Sequence, residues 1–141
     1  MARSFWLVKS EPSEYAYEQL VKDRVTTWTG VRNFAARNHL AAMGKGDLVL
    51  YYHTGAAKTV VGAAKVVGAA RPDPTAKPDE GWIAVELAPV RALAAHVTLA
   101  QVKADPKLRE LPLVRQGRLS VMPIPKPAFD RILALGKTKL G

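Results

Sequence analysis

The 141-residue chain contains no cysteine. Disulfides, thiolate nucleophiles and every cysteine-containing zinc site are therefore excluded. Long apolar runs are missing as well, and none approaches the roughly 18 residues a membrane-spanning helix needs. The run in MARSFWLVKSEP is too short for the apolar core of a signal peptide and meets Lys9 and Glu11, so it predicts a strand and a cytoplasmic protein. Catalytic templates are also lacking: there is no G-x-S-x-G, P-loop, H-E-x-x-H or G-x-G-x-x-G. His39, His53 and His96 have no metal-ligand spacing, and no close carboxylate pair suggests glycosidase or nuclease chemistry. No metal, no cofactor and no enzymatic activity are expected, which leaves binding as the favoured task.

Acidic residues are scarce. Lys and Arg number 21 against 12 Asp and Glu, for a net charge of +9. Such a surface favours polyanions, of which nucleic acid is the commonest. Between Arg24 and Lys45 the basic residues Arg24, Arg32, Arg37 and Lys45 face no acid. From Leu111 onward, Arg115, Arg118, Lys126, Arg131, Lys137 and Lys139 face only Asp130.

What is present reads as one α+β domain over residues 1–141, large enough for a core of its own. FWLVK predicts a buried strand, and Ser13 is the expected N-cap of a first helix running to about Asp23. A second helix is expected from near Val31, with Val31, Phe34, Ala35 and Ala42 on its apolar face and a turn at Gly44–Asp47. LVLYYHT and TVVGAAKVVGAA predict an antiparallel hairpin. RPDPTAKPDEG is a surface loop, and WIAVELAPVRAL is a further strand from Trp82. Thr98 and Gln101 have capping-box spacing for a short helix. A short strand around Leu119–Met122 and a closing helix in KPAFDRILALG, ended by Gly136, complete the chain.

Three polar clusters stand out. TWTGVRNFAARN gathers Trp28, Arg32, Asn33, Arg37 and Asn38. Asn38 falls within the expected apolar face, where its amide needs a partner, either a neighbouring loop or a ligand. Asn33 and Arg37 share one side of the helix, as a solvated flank or as an amide and guanidinium offered to a phosphate. Trp28 is a core plug or a stacking plane, and one stacked base is worth about 1–3 kcal/mol. KSEP sets Lys9, Ser10 and Glu11 at a strand end, and YYHT does the same for Tyr52 and His53; such ends give binding groups rigid support. VRQGRLSV places Arg115, Gln116 and Arg118 around a glycine, suited to phosphate forks or simply to solvent.

Taken in order, FWLVKSEP, TWTGVRNFAARN, GDLVLYYHT, VVGAAKVV, RPDPT and LPLVRQGRLSV resemble the EVE domain family, also found in the thymocyte nuclear protein. The resemblance covers nearly the whole chain. It implies a PUA-like fold, a small β-barrel with flanking helices, related to YTH domains. It further implies a non-catalytic reader that holds a modified base, flipped from DNA or RNA, in an aromatic pocket. By that similarity Lys9, Ser10 and Glu11 face the base edge and Trp28 stacks on it. Asn33, Asn38, Tyr52 and His53 then line or brace the pocket, with Arg115, Gln116 and Arg118 at the rim. Glu11 stands where YTH readers carry an amide, so the base edge need not be that of methyladenine.

The leading expectation is therefore a modified-base reader, with 5-methylcytosine in DNA the first candidate and Arg32, Arg37, Arg115, Gln116 and Arg118 drawing in the backbone. A restriction or modification enzyme encoded nearby would accompany that task. One alternative is a PUA-type RNA-binding accessory acting on tRNA or rRNA. A more distant one is a small nucleotide hydrolase using His53 and Glu11 as acid and base.

Overall fold

A computed structural model describes residues 3–140. In chain order the elements are β1 (Phe5–Ser10), α1 (Pro12–Tyr15), α2 (Tyr17–Asp23), β2 (Thr26–Trp28), α3 (Phe34–Ala42), β3 (Leu48–His53), β4 (Thr59–Val66), β5 (Arg71–Pro72), a 3₁₀ turn (Pro78–Glu80), β6 (Ile83–Thr98), α4 (Leu99–Ala104), α5 (Pro112–Arg115), β7 (Val121–Pro123) and α6 (Lys126–Leu135). The expected α+β class holds.

The strands form one sheet in the order β2-β6-β4-β3-β1-β7, with β5 added along β6. Only β1 and β3 run parallel, Phe5 opposite Leu48 through Ser10 opposite His53. The 16-residue β6 carries both β2 and β4, and its pairing with β4 slips at Val60/Gly62 and Ala63/Ala64. Such bulges bend a strand and increase its twist, so the sheet curls into half of a barrel with helices around it. β2 and β7 are its two ends.

The sheet is covered on both faces, with Leu7, Val8, Val49, Leu50, Tyr51, Val85 and Leu87 each essentially buried. Tyr17 plugs this interior by lying on Gly62, where a Cβ would come within 2.5 Å of its ring. Its hydroxyl donates to the Ala63 carbonyl at 2.7 Å, and burial pushes its pKa up to about 12. At the edge of the sheet Asp47 accepts from Trp6 Nε1 at 2.9 Å, Ser4 N–H at 3.0 Å and Gly44 N–H at 2.9 Å, which clamps the starts of β1 and β3.

Two helix expectations need correction. The first helix is divided, and Ser13 is not its cap: Glu11 occupies that position and Pro12 starts α1. Proline at the first helical position has its φ preset, so the helix begins two residues early. Ala16 is extended at ψ 158°, and the Tyr17 N–H donates to His53 Nε2 at 3.0 Å. That tertiary bond draws the chain out of the helix and begins α2.

The second helix starts at Phe34, because Asn33 is its N-cap and accepts the Ala36 N–H at 3.0 Å. Ala36 and Leu40 form the buried face, with Met43 just beyond. Phe34, Ala35 and Ala42 point to solvent, and so does Asn38, which accepts from the Arg37 guanidinium at 3.1 Å. Val31 lies outside the helix, and the core takes the face opposite to the one expected. The hairpin, the Thr98–Gln101 capping box and the closing helix ended at Gly136 are as expected.

Candidate nucleic-acid interface

The parallel pair β1 and β3 ends at Ser10 and His53, and the Thr54 N–H donates to the Ser10 carbonyl at 2.9 Å. Outside the carboxyl ends of such strands the backbone diverges and leaves room for a ligand. A cavity of ≈ 400 Å³ opens there, within the roughly 300–1,000 Å³ usual for small-molecule sites. Lys9, Ser10 and Glu11 supply one side, Trp28 to Arg32 another, and Gly117, Arg118 and Ser120 a third.

Trp28 ends β2 and is only 9% exposed. Its ring is held edge-to-face by Tyr51, centroids 5.4 Å apart, and by Tyr15 at 6.4 Å. Its remaining surface lines the cavity. It is thus a fixed wall: aromatic neighbours set its plane before any ligand arrives. Tyr51 is itself anchored, its hydroxyl donating to the Tyr15 carbonyl at 2.6 Å, and burial raises its pKa.

The polar groups around this wall are equally fixed. Ser10 Oγ donates to the same Tyr15 carbonyl at 2.9 Å, which commits its proton and leaves its lone pairs free to accept. Lys9 Nζ donates to the Gly117 carbonyl at 3.0 Å and lies 5.7 Å from the centre of the Tyr52 ring. Burial lowers its pKa. The Glu11 carboxylate rests on Gly55, whose φ is +74°; a Cβ there would stand 2.6 Å from Glu11 Oε2. The cavity therefore offers hydrogen-bond acceptors at Ser10 and Glu11 and a cation at Lys9.

One wall is set by a carboxylate absent from the residues singled out in the sequence. Asp73, fully buried in its side chain, accepts from the Gly30 N–H at 2.8 Å, Arg32 Nη1 at 3.0 Å, the Thr75 N–H at 2.7 Å and Thr75 Oγ1 at 2.6 Å. Burial alone would raise its pKa. The bonds from Thr75, Gly30 and Arg32 outweigh that and hold it at about 2. Asp73 thereby ties the loop following β5 to the Trp28–Arg32 segment. The Asp-Pro-Thr run was a local signal for the Thr75 half of this turn, since Asp side chains bond the backbone two residues on.

The sequence-derived residues divide by position. Lys9, Ser10, Glu11, Trp28, Arg32 and Arg118 come together at the cavity. Asn33 and Gln116 line an adjoining groove that shares Gly117 and Arg118 with it. Tyr52 lies buried beneath Lys9, and buried His53 gives its Nε2 to Tyr17; neither lines the cavity. Burial lowers the His53 pKa, in keeping with a neutral ring that accepts. Asn38 is on the solvent side of α3 beside Arg37, and Arg115 is paired with Glu110 at 2.6 Å. Glu14, Thr29, Val31, Thr54 and Ser120 line the cavity without having been singled out as site residues, and Glu14 adds a second carboxylate to it.

Comparison with known proteins agrees with this architecture. Thymocyte nuclear protein 1 of mouse is 31% identical over 96% of this chain and 75% of its own length. A crystal structure of a protein from Agrobacterium tumefaciens superposes with a TM-score of 0.92 at 36% identity, over 96% of this chain and 94% of that one. The human THYN1 protein, solved in complex with 5-methylcytosine-containing DNA, superposes with a TM-score of 0.86 at 30% identity, over 96% of this chain and 99% of that one. The half-barrel with its flanking helices is the PUA-like architecture. Residues 4–135 match the model of the EVE domain, and with the fold agreeing over the same span, this chain belongs to the EVE domain family.

Proposed function

We propose that this protein is a non-catalytic DNA reader that holds a modified cytosine, 5-methylcytosine foremost, in the cavity beside Trp28. One observation carries the reading: an indole wall, two acceptors and a cation converge on a single cavity of ≈ 400 Å³. The likeness to a human protein solved with 5-methylcytosine-containing DNA supports the choice of ligand.

The chemistry suits cytosine. Its exocyclic N4 amino group is a donor, and a carboxylate is the side chain that accepts from it; Glu11 fills that role. Lys9 supplies a donor for the carbonyl side of the base, and Ser10 accepts. Stacking on Trp28 contributes about 1–3 kcal/mol. Extruding a base from a duplex costs a few kcal/mol, so stacking and edge bonds together are of the size needed to offset it. Arg118 at the mouth meets the flanking phosphate. Turnover is no part of this reading: His53, the acid–base candidate, accepts the Tyr17 N–H at its Nε2 and does not line the cavity.

The test is a competition at fixed salt between a duplex carrying one 5-methylcytosine, the same duplex unmodified, and a structured RNA. A preference of about tenfold for the methylated duplex is expected, the lower end for one methyl group received by a fitted pocket. Equal affinity for the two duplexes contradicts the proposal, and preferential binding of the RNA replaces it with an RNA-accessory role.

A further inference from the structure

An aromatic pair lies just outside the cavity. Phe34, the first residue of α3, is 64% exposed, more than any other large apolar side chain among the described residues. It stacks on Trp82, ring centres 5.1 Å apart and planes 21° from parallel. Arg37 lies 4.9 Å from the Phe34 ring centre and 6.0 Å from that of Trp82, and Arg32 lies 5.6 Å from Trp82. Even with the Arg37 guanidinium over its ring, Phe34 keeps most of its surface in solvent.

The placement follows from local structure. The Asn33 cap makes Phe34 the first helical residue and turns it outward, while Gly81, at φ +76°, delivers Trp82 to meet it ahead of β6. A single exposed apolar side chain is ordinary. A planar ring with a second ring behind it and two guanidinium groups alongside is a more specific surface, matched to a flat heterocycle joined to anions. It adjoins the cavity in two ways. Arg32 belongs to both, and Asn33 and Ala35 line the groove that continues into the cavity past Gly117 and Arg118.

We propose that Phe34, backed by Trp82, is a wedge that stacks on the base pair next to the extracted base and fills the gap it leaves. The inference rests on the base-reading function proposed above and adds a second recognition element to it. Extruding a base leaves its neighbours without a stacking partner on one side. Apolar side chains inserted at base steps are an established way to support such a distortion. Trp82 stiffens the wedge from behind, and Arg37 neutralises the phosphate beside the gap. An isolated nucleoside in the cavity has no neighbour for Phe34 to touch, and this separates the two elements.

The experiment uses a duplex with one 5-methylcytosine and 2-aminopurine at the adjacent position, read by affinity and by 2-aminopurine fluorescence. Free 5-methyldeoxycytidine, followed by NMR shifts, reports on the cavity alone. Phe34→Ala should weaken duplex binding at least about fivefold, the lower bound for one stacked base. It should also change the fluorescence response and leave nucleoside binding unaltered. Phe34→Leu should fall between the alanine variant and the parent, and Phe34→Tyr should match the parent. Wild-type affinity and fluorescence in Phe34→Ala, with methyl preference intact, overturn the wedge and leave the reader standing. Equal weakening of duplex and nucleoside also overturns it. If the parent protein shows no methyl preference, the reader falls and the wedge with it.

Discussion

Asp73 Oδ2 accepts the Gly30 N–H at 2.8 Å, across 43 positions of sequence. This bond joins the Arg71–Glu80 loop to the segment that carries Trp28, so the width of the cavity depends on a side chain lying outside it. Replacing Asp73 with Asn removes the charge that answers Arg32 and leaves an amide where four donors converge. A stability loss of roughly 1.5–3 kcal/mol is expected, the size of hydrogen bonds to a charged group. Urea denaturation measures it. Affinity for a methylated duplex should fall as well, since the Gly30–Arg32 wall loses its tether.

The same carboxylate sets an acid limit. Its pKa is held at about 2 in the fold, against 3.8 ordinarily. A depressed carboxylate stabilises the fold above its unfolded value and loses that contribution as pH falls through the folded one. Between about pH 4 and pH 2 the parent should therefore lose stability that Asp73→Asn never had. Thermal melts of the two proteins should converge across that window.

A second pH effect lies higher. Burial depresses the His53 pKa below its ordinary 6.5, so the unfolded chain takes up the proton first. Stability is full above about pH 6.5 and declines as pH drops below it. Burial also depresses His39, which adds to the slope. His53→Gln keeps an acceptor for the Tyr17 N–H without titrating, and should flatten the Tm profile between pH 7 and pH 5. An unchanged slope in that variant would remove His53 from the explanation.

Gly55 and Glu11 can be tested as a pair. A side chain at Gly55 is strained at φ +74° and pushes the Glu11 carboxylate from its seat 2.6 Å away. Gly55→Ala should lower stability by about 1 kcal/mol. Because the displaced atoms are the end of a flexible chain, its main effect should fall on binding. Loss of a good base-edge contact is worth about 1–3 kcal/mol. Glu11→Gln should weaken methylated-duplex binding by a comparable amount, and the double variant should be no weaker than the weaker single one. Additive losses would show that the two residues act separately.

The basic residues should differ in effect despite equal charge. Arg118 stands at the cavity with no ion-pair partner among the described residues, whereas Arg115 is held by Glu110 at 2.6 Å. Arg118→Ala should reduce the slope of log affinity against log salt by about 1. Arg115→Ala should change it less. Titrations at several salt concentrations give both slopes.

Much of this was legible in the sequence because its causes are local. Phe5–Lys9, Leu48–His53 and Thr59–Val66 are apolar, β-rich runs bounded by turn residues, and all are strands. Lys9, Ser10 and Glu11 could be placed at a cavity because they follow the first of these. The errors have tertiary causes. An apolar pattern through Val31, Phe34, Ala35 and Ala42 gave the wrong face of α3, since the Asn33 cap delays the helix and the core takes Ala36 and Leu40. The Tyr17 N–H that divides the first helix is claimed by a histidine 36 positions away. Asp73 is ordinary in a proline-rich loop until Gly30 and Arg32 are brought to it.

The most direct test is a crystal structure of this protein with a duplex bearing a single 5-methylcytosine. The methylated base should lie outside the helical stack, one face against the Trp28 indole and its amino group on the Glu11 carboxylate. A methylated base still paired within the duplex, with the Ser10–Trp28 cavity empty, would contradict the reader.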